Sequence, residues 1–195
     1  MQNVMVIGGG QSAGECDLKT VCKRGYTIAV NDSFYNDQHG YMPCDTGLSM
    51  DRRWSEYRLD KIRGRDFWLR RCEDTWEGRH LYDCDHKQDM FSDIPGVLNG
   101  RNSGHVAFNL AYQQRPKRIF LFGFDMSRNY WYPPYPWVNP KREGSRILDT
   151  WVSGMNTAKW CCDQKNIEVF IVGHSKIKAF PKLDFRAFLA MTAKA

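Results

Sequence analysis

Between Val4 and Asp32 the chain passes through an apolar run, three consecutive glycines, a short helix-compatible stretch and a second apolar run. Few folds accept that order. Val4-Met5-Val6-Ile7 is continuously apolar and stops at Gly8-Gly9-Gly10, the pattern of a buried strand feeding a tight turn. Gln11 to Val21 suits a short helix, closed by Lys23-Arg24-Gly25 with basic residues in its last turn and a glycine after it. Tyr26-Thr27-Ile28-Ala29-Val30 is then a second strand, ending at Asn31-Asp32. Strand, glycine loop, helix and strand within about 30 residues make a βαβ unit. A right-handed crossover in such a unit leaves its two strands parallel.

The same alternation returns later. Asn102-Ser103-Gly104 precedes Val106, Ala107, Leu110 and Ala111 at helical spacing, and Pro116-Lys117-Arg118 ends that helix. Ile119-Phe120-Leu121-Phe122 is a buried strand leading into Gly123-Phe124-Asp125-Met126. Helices are expected over 147–162 and 185–194, with a strand over 167–172. Between 33 and 100 the signals are weaker: a charged helix over 51–61 and short strands at Phe67-Trp68-Leu69 and His80-Leu81-Tyr82. The loop Tyr130 to Pro140, rich in proline and aromatic residues, reads as a lid or substrate wall. A length of 195 residues without a boundary signal predicts one α/β domain over 1–195, Rossmann-like, with a mostly parallel sheet and helices on both faces.

Three places carry chemistry. Gly8-Gly9-Gly10-Gln11-Ser12-Ala13 fits G-x-G-x-x-A where a dinucleotide fold needs it, because missing side chains let backbone N–H groups approach a phosphate. The same glycines also suit a tight βα turn. Asp32, at the end of the second strand, would suit a ribose diol, and Asn31 a base or sugar edge. Asn102, Ser103 and Gly104 open a helix, either as its cap or as part of a ligand crevice at the carboxyl ends of the strands. Asp125 follows a buried strand, a position typical of active-site carboxylates as well as of turn caps. Among the five histidines, His105 and His174 fall at the expected ligand edge and are the base candidates.

Several classes are excluded. G-x-S-x-G, GxxxxGK[ST] and H-E-x-x-H are all absent, which argues against hydrolase, P-loop and zincin readings. Seven cysteines with no CxxC predict reduced thiols and no metal site. No run of about 18 apolar residues exists, so no membrane span is expected. Residues 1–7 do not resemble a signal peptide, and a cytoplasmic protein is expected. The 28 Lys and Arg exceed the 22 Asp and Glu, for a net charge of +6. That excess fits solubility and also leaves room for a polyanionic partner. The basic stretch 52–71 interleaves aromatics, but its acids favour a solvated face over a nucleic-acid groove.

The order Val6-Ile7-Gly8-Gly9-Gly10-Gln11-Ser12, Ala29-Val30-Asn31-Asp32, Asn102-Ser103-Gly104 and Arg118 to Met126 resembles small phage-encoded proteins of the DUF115 (MptE-like) type. The segments Val169 to Ser175 and Ala179-Phe180-Pro181 are similar to the ending of those proteins. The same block order resembles the bacterial sialyltransferases of glycosyltransferase family 42, which bind a CMP-sugar. That resemblance implies nucleotide contacts from Gly8, Gly10, Ser12, Asn31, Ser103 and Gly104, and contacts to the leaving phosphate from Tyr130 and Tyr132. Two positions depart from the pattern. Gly9 stands where the sialyltransferases carry an Asn, and no histidine occurs between Asp125 and Val172, where their base lies.

The resemblance implies a transferase using a nucleotide-sugar donor as substrate, in host cytoplasm if phage-encoded, with modified phage DNA among its conceivable acceptors. Asp125, His105 or His174 would deprotonate the acceptor. The archaeal MptE enzymes imply a second chemistry, pyrophosphate transfer from ATP with Mg2+. A non-catalytic nucleotide-binding protein is the third reading, and oligomeric state is left open.

Overall fold

The computed structural model describes residues 2–71, 80–127, 130, 131 and 145–193. Its first strands are β1 (Asn3–Ile7) and β2 (Tyr26–Val30). A short hairpin, β3 (Tyr35–Asn36) with β4 (Gly40–Tyr41), follows, and then β5 (Thr46–Ser49), β6 (Phe67–Arg70) and β7 (His80–Tyr82). After the helix of 103–113 come β8 (Arg118–Phe122), β9 (Glu168–Val172) and β10 (Lys182–Leu183). Among the described residues, eight of these strands form one sheet in the order β10-β9-β8-β1-β2-β5-β6-β7. Every pairing in it is parallel. The chain builds outward from β1 to β7 and then returns to lay β8, β9 and β10 on the other side of β1. The order therefore reverses between β1 and β8, and open α/β sheets bind ligands at such a switch point.

Alternation along the central strands sorts side chains to two faces. Val4, Val6, Ile119, Leu121, Val169 and Ile171 face one core, and Met5, Ile7, Phe120, Phe122 and Val172 face the other. The first face is covered by α5 (Ser103–Gln113) and α6 (Ser145–Gln164). The second is covered by α1 (Gln11–Gly14), α2 (Leu18–Val21) and α7 (Phe185–Met191). Farther along the sheet, α3 (Arg52–Tyr57) and α4 (Leu59–Ile62) contribute Trp54 and Ile62 to a third cluster, with Phe34 and Phe67. The α/β architecture with helices on both faces is as the sequence predicts.

Two helices are broken where one was expected. In 11–21 the chain forms α1 and α2, because Asp17 turns its carboxylate onto Thr20, accepting from its N–H at 3.2 Å and from its hydroxyl at 2.7 Å. A short acidic side chain that bonds nearby backbone competes with continuation of the helix. In 51–61 the break falls at Arg58, between α3 and α4. The strand β5 escapes sequence reading because Thr46-Gly47-Leu48-Ser49 is short and polar, yet it is fully buried. Gly47 is required there: a Cβ would lie 2.3 Å from the Phe67 ring and 2.5 Å from that of Phe34.

Candidate functional site

The parallel registers bring the predicted segments to one edge. Ile7 pairs with Ala29 and with Phe122, and Phe122 pairs with Val172. The residues just past those partners therefore stand side by side: Gly8, Val30-Asn31, Gly123 and Gly173. Val30 pairs with Leu48, which adds the end of β5 to the same rim. The Met50 N–H, just beyond β5, donates to Ser103 Oγ at 3.0 Å and ties the start of α5 there. A Cβ on Gly104 would lie 3.4 Å from the Phe124 ring, so α5 begins against the segment that follows β8.

The glycines first serve the closeness of two loops. Gly8 N–H donates to Phe122 O at 2.8 Å and Gly10 N–H to Gly123 O at 2.9 Å. A Cβ on Gly10 would stand 2.6 Å from Gly123 O and 2.7 Å from Asp125 Cγ, and Gly123 itself has a φ of +67°. Gly173, at φ +98°, lets the end of β9 approach Ser12, where a Cβ would lie 2.8 Å from the serine's own. Among the described residues, no hydrogen bond uses the N–H of Gly9 or Gln11. Those two are the loop's open donors.

Several predicted ligand groups are engaged within the protein. Ser12 is buried, its N–H donates to Asp125 Oδ2 at 2.8 Å, and its hydroxyl donates to Asp125 Oδ1. The serine expected on a phosphate thus holds a carboxylate. Asp125 in turn has a side chain with no solvent exposure, so it anchors rather than meeting an acceptor directly. Its neighbour is His174, whose Nε2 lies 3.4 Å from Asp125 Oδ2 and whose Nδ1 lies 3.9 Å from Glu15 Oε2. The His174 side chain is 59% exposed, which makes it the accessible base candidate.

Asp32 departs from the ribose expectation. Its Oδ1 accepts from the Trp54 indole N–H at 2.7 Å and lies 3.6 Å from Arg58 Nε, all three residues being buried. Burial raises its carboxyl above the usual carboxylate range, against the opposing pull of Trp54 and Arg58. His105 departs as well. It is fully buried with Phe91 edge-on to its ring, and neither ring nitrogen has a partner among the described residues. Burial pushes its pKa down to about 4. It is a core histidine, because the first turn of α5 that exposes Ser103 and Gly104 rotates the next residue inward.

The asparagines stay open. Asn102 caps α5 by accepting from His105 N–H at 2.9 Å, and its Nδ2 is buried without a partner among the described residues. Asn31 adopts a left-handed φ of 51°, and its Oδ1 is likewise buried and unpartnered. Backbone strain together with an orphaned polar atom is the usual mark of a ligand position. Tyr130 forms a backbone bridge to Gly10, which places it beside the loop as expected. Tyr132 and the rest of the proline-rich loop to Pro140 lie outside the described residues. No group of three His, Cys, Asp or Glu residues is gathered as for a metal ion among the described residues, and none of their helices is long and apolar enough to cross a membrane.

Sequence reasoning missed Trp54 and Arg58, which hold Asp32, and Glu15, which faces His174. It also missed Ser33 and Trp131, which reach Gly8 O at 2.9 Å and 3.4 Å. None carries a local signal, since each acts through a contact distant in sequence or on another element.

No family model matches the chain, and no curated protein does either. Among solved structures, a match is the crystal structure of the sialyltransferase CST-II in complex with trisaccharide acceptor and CMP. It superposes with a TM-score of 0.50 at 12% identity, over 87% of this chain and 80% of that one. The likeness is one of fold. It coincides with the family 42 block order that the sequence resembles.

Proposed function

We propose that this chain is a glycosyltransferase that moves a sugar from a CMP- or UDP-linked donor, taken as substrate, to an acceptor hydroxyl. The observation that carries the reading is the convergence at one switch-point crevice of three segments far apart in sequence: Gly8–Gly10, Asn31 and Asn102–Gly104. Two of them hold unpartnered amide atoms, Asn31 Oδ1 and Asn102 Nδ2. An acceptor and a donor of this kind suit the edges of a nucleoside. The start of α5, an 11-residue helix, directs its dipole and first N–H groups at the phosphate.

In the reaction, the acceptor oxygen forms a bond to the anomeric carbon as the bond from that carbon to the donor phosphate oxygen breaks. The electron pair leaves with the nucleotide, and the acceptor proton passes to His174. Asp125, held by Ser12, keeps the imidazole in place and balances its charge. The donor end of α5 stabilises the charge that develops on the leaving phosphate.

The test is thermal stabilisation by CMP, UDP, GDP, ADP, ATP with magnesium, and NAD. A ligand at 100 times its Kd adds about 2.7 kcal/mol, an increase in Tm of roughly 5–10 °C for a chain of this size. A shift with CMP or UDP is expected. A shift confined to ATP with magnesium would replace this reading with pyrophosphate transfer, and no shift with any of them would overturn it.

A further inference from the structure

On the second face of the sheet, α1, α2 and the β3–β4 hairpin enclose a cavity of about 330 Å3 that none of the nucleotide-facing segments fills. Its aromatic wall is His39 stacked on Trp131, with ring centroids 5.3 Å apart and planes at 27°, and Tyr41 extends it. Its polar members include the Asp17 carboxylate and the Lys19 ammonium. Ligand cavities span about 300–1,000 Å3, so this one suits a ring-sized moiety rather than a whole nucleotide-sugar.

Two cavity residues grip the glycine loop. Trp131 donates its backbone N–H to Gly9 O at 3.2 Å and its indole N–H to Gly8 O at 3.4 Å. The Ser33 hydroxyl donates to the same Gly8 oxygen at 2.9 Å. The indole can sit there because residue 14 is glycine: a Cβ on Gly14 would lie 2.8 Å from that of Trp131. The cavity is thus built onto the loop assigned above to the donor.

We infer that this cavity is the acceptor subsite and that it takes a pyranose ring, which rests its C–H face on the aromatic wall and directs vicinal hydroxyls to Asp17 and Lys19. Aromatic faces bind such rings through apolar area, while an anion and a cation at the rim match hydroxyls that both donate and accept. A purely apolar ligand would leave those charges unmatched, and a nucleobase is better served by the asparagines of the crevice. The inference rests on the transferase reading, which makes an acceptor necessary.

The experiment titrates 15N-labelled protein with lactose, cellobiose, N-acetylglucosamine and methyl mannoside, with and without CMP. It follows the Trp131 indole N–H, assigned by its loss in Trp131→Phe. At least one sugar should move that signal saturably at millimolar concentration. His39→Ala should weaken the effect tenfold or more while the Tm shift with CMP stays at its original size. No movement with any sugar, or equal movement in His39→Ala, overturns the subsite. If His39→Ala fails to fold, Lys19→Ala gives the same readout. Sugar binding with no response to any nucleotide would sink the transferase reading instead and leave a carbohydrate-binding site.

Discussion

Asp32 shows how one residue type at one position serves two incompatible roles. At the end of a second strand an acidic side chain is the expected partner of a ribose, yet here it is bound to the Trp54 indole and faces the Arg58 guanidinium. Removing one partner of a buried ion pair costs about 3–5 kcal/mol. Asp32→Ala should therefore lose stability of that order in urea unfolding, with nucleotide affinity retained in the folded fraction. A stable variant that no longer binds nucleotide would return Asp32 to the ligand. Gly10 is constrained differently, by Gly123 O and the Asp125 carboxyl where a side chain would go. Gly10→Ala should cost about 1–3 kcal/mol through overpacking, read as a lowered urea midpoint with an unchanged m-value.

At the scale of elements, α5 both supports the sheet and presents the site. Its cap and its open donor belong to one side chain: Asn102 Oδ1 holds His105 N–H while Nδ2 is unpartnered. Asn102→Asp keeps a cap acceptor and adds a favourable charge at the helix start, so Tm should hold or rise slightly. The same change removes the donor and sets a carboxylate beside the phosphate, so nucleotide affinity should fall at least tenfold by calorimetry. Asn102→Ala loses both, with about 1 kcal/mol of stability. An affinity unchanged in Asn102→Asp would reduce this residue to a cap.

Across the whole molecule, His105 links helix layers to acid stability. It stands where α5 meets α6 and the segment before α5: a Cβ on Gly154 would lie 3.1 Å from its Cε1, Phe91 packs on its ring, and the Asp89–Arg101 ion pair is near. Its folded pKa of about 4 lies below the model value of 6.5. Between those values the unfolded chain binds the extra proton, so stability falls as pH drops through that window and is recovered above it. The slope is at most about 1.4 kcal/mol per pH unit, and the sum is roughly 3 kcal/mol. Urea unfolding at pH 7, 6, 5 and 4.5 should show this loss, and His105→Phe should flatten the difference. Parallel pH curves for the two proteins would mean that the ring takes its proton without opening the core.

The glycine loop, the βαβ opening, the α5 start and the apolar strands β1, β2, β8 and β9 are legible in the residues because each is specified locally, by periodicity, by caps and by missing side chains. Those signals determined an α/β chain with its ligand edge at the strand ends. They left unread the contacts that assign roles at that edge. Whether Ser12 meets a phosphate or Asp125, and whether Asp32 meets a ribose or Trp54, depends on partners 113 and 22 residues away. The inward turn of His105, the burial of the polar β5 and the seat of Trp131 on Gly14 follow from packing between elements. A local pattern encodes an element's preference, but register and close contact across the sheet decide which side chains remain free for chemistry.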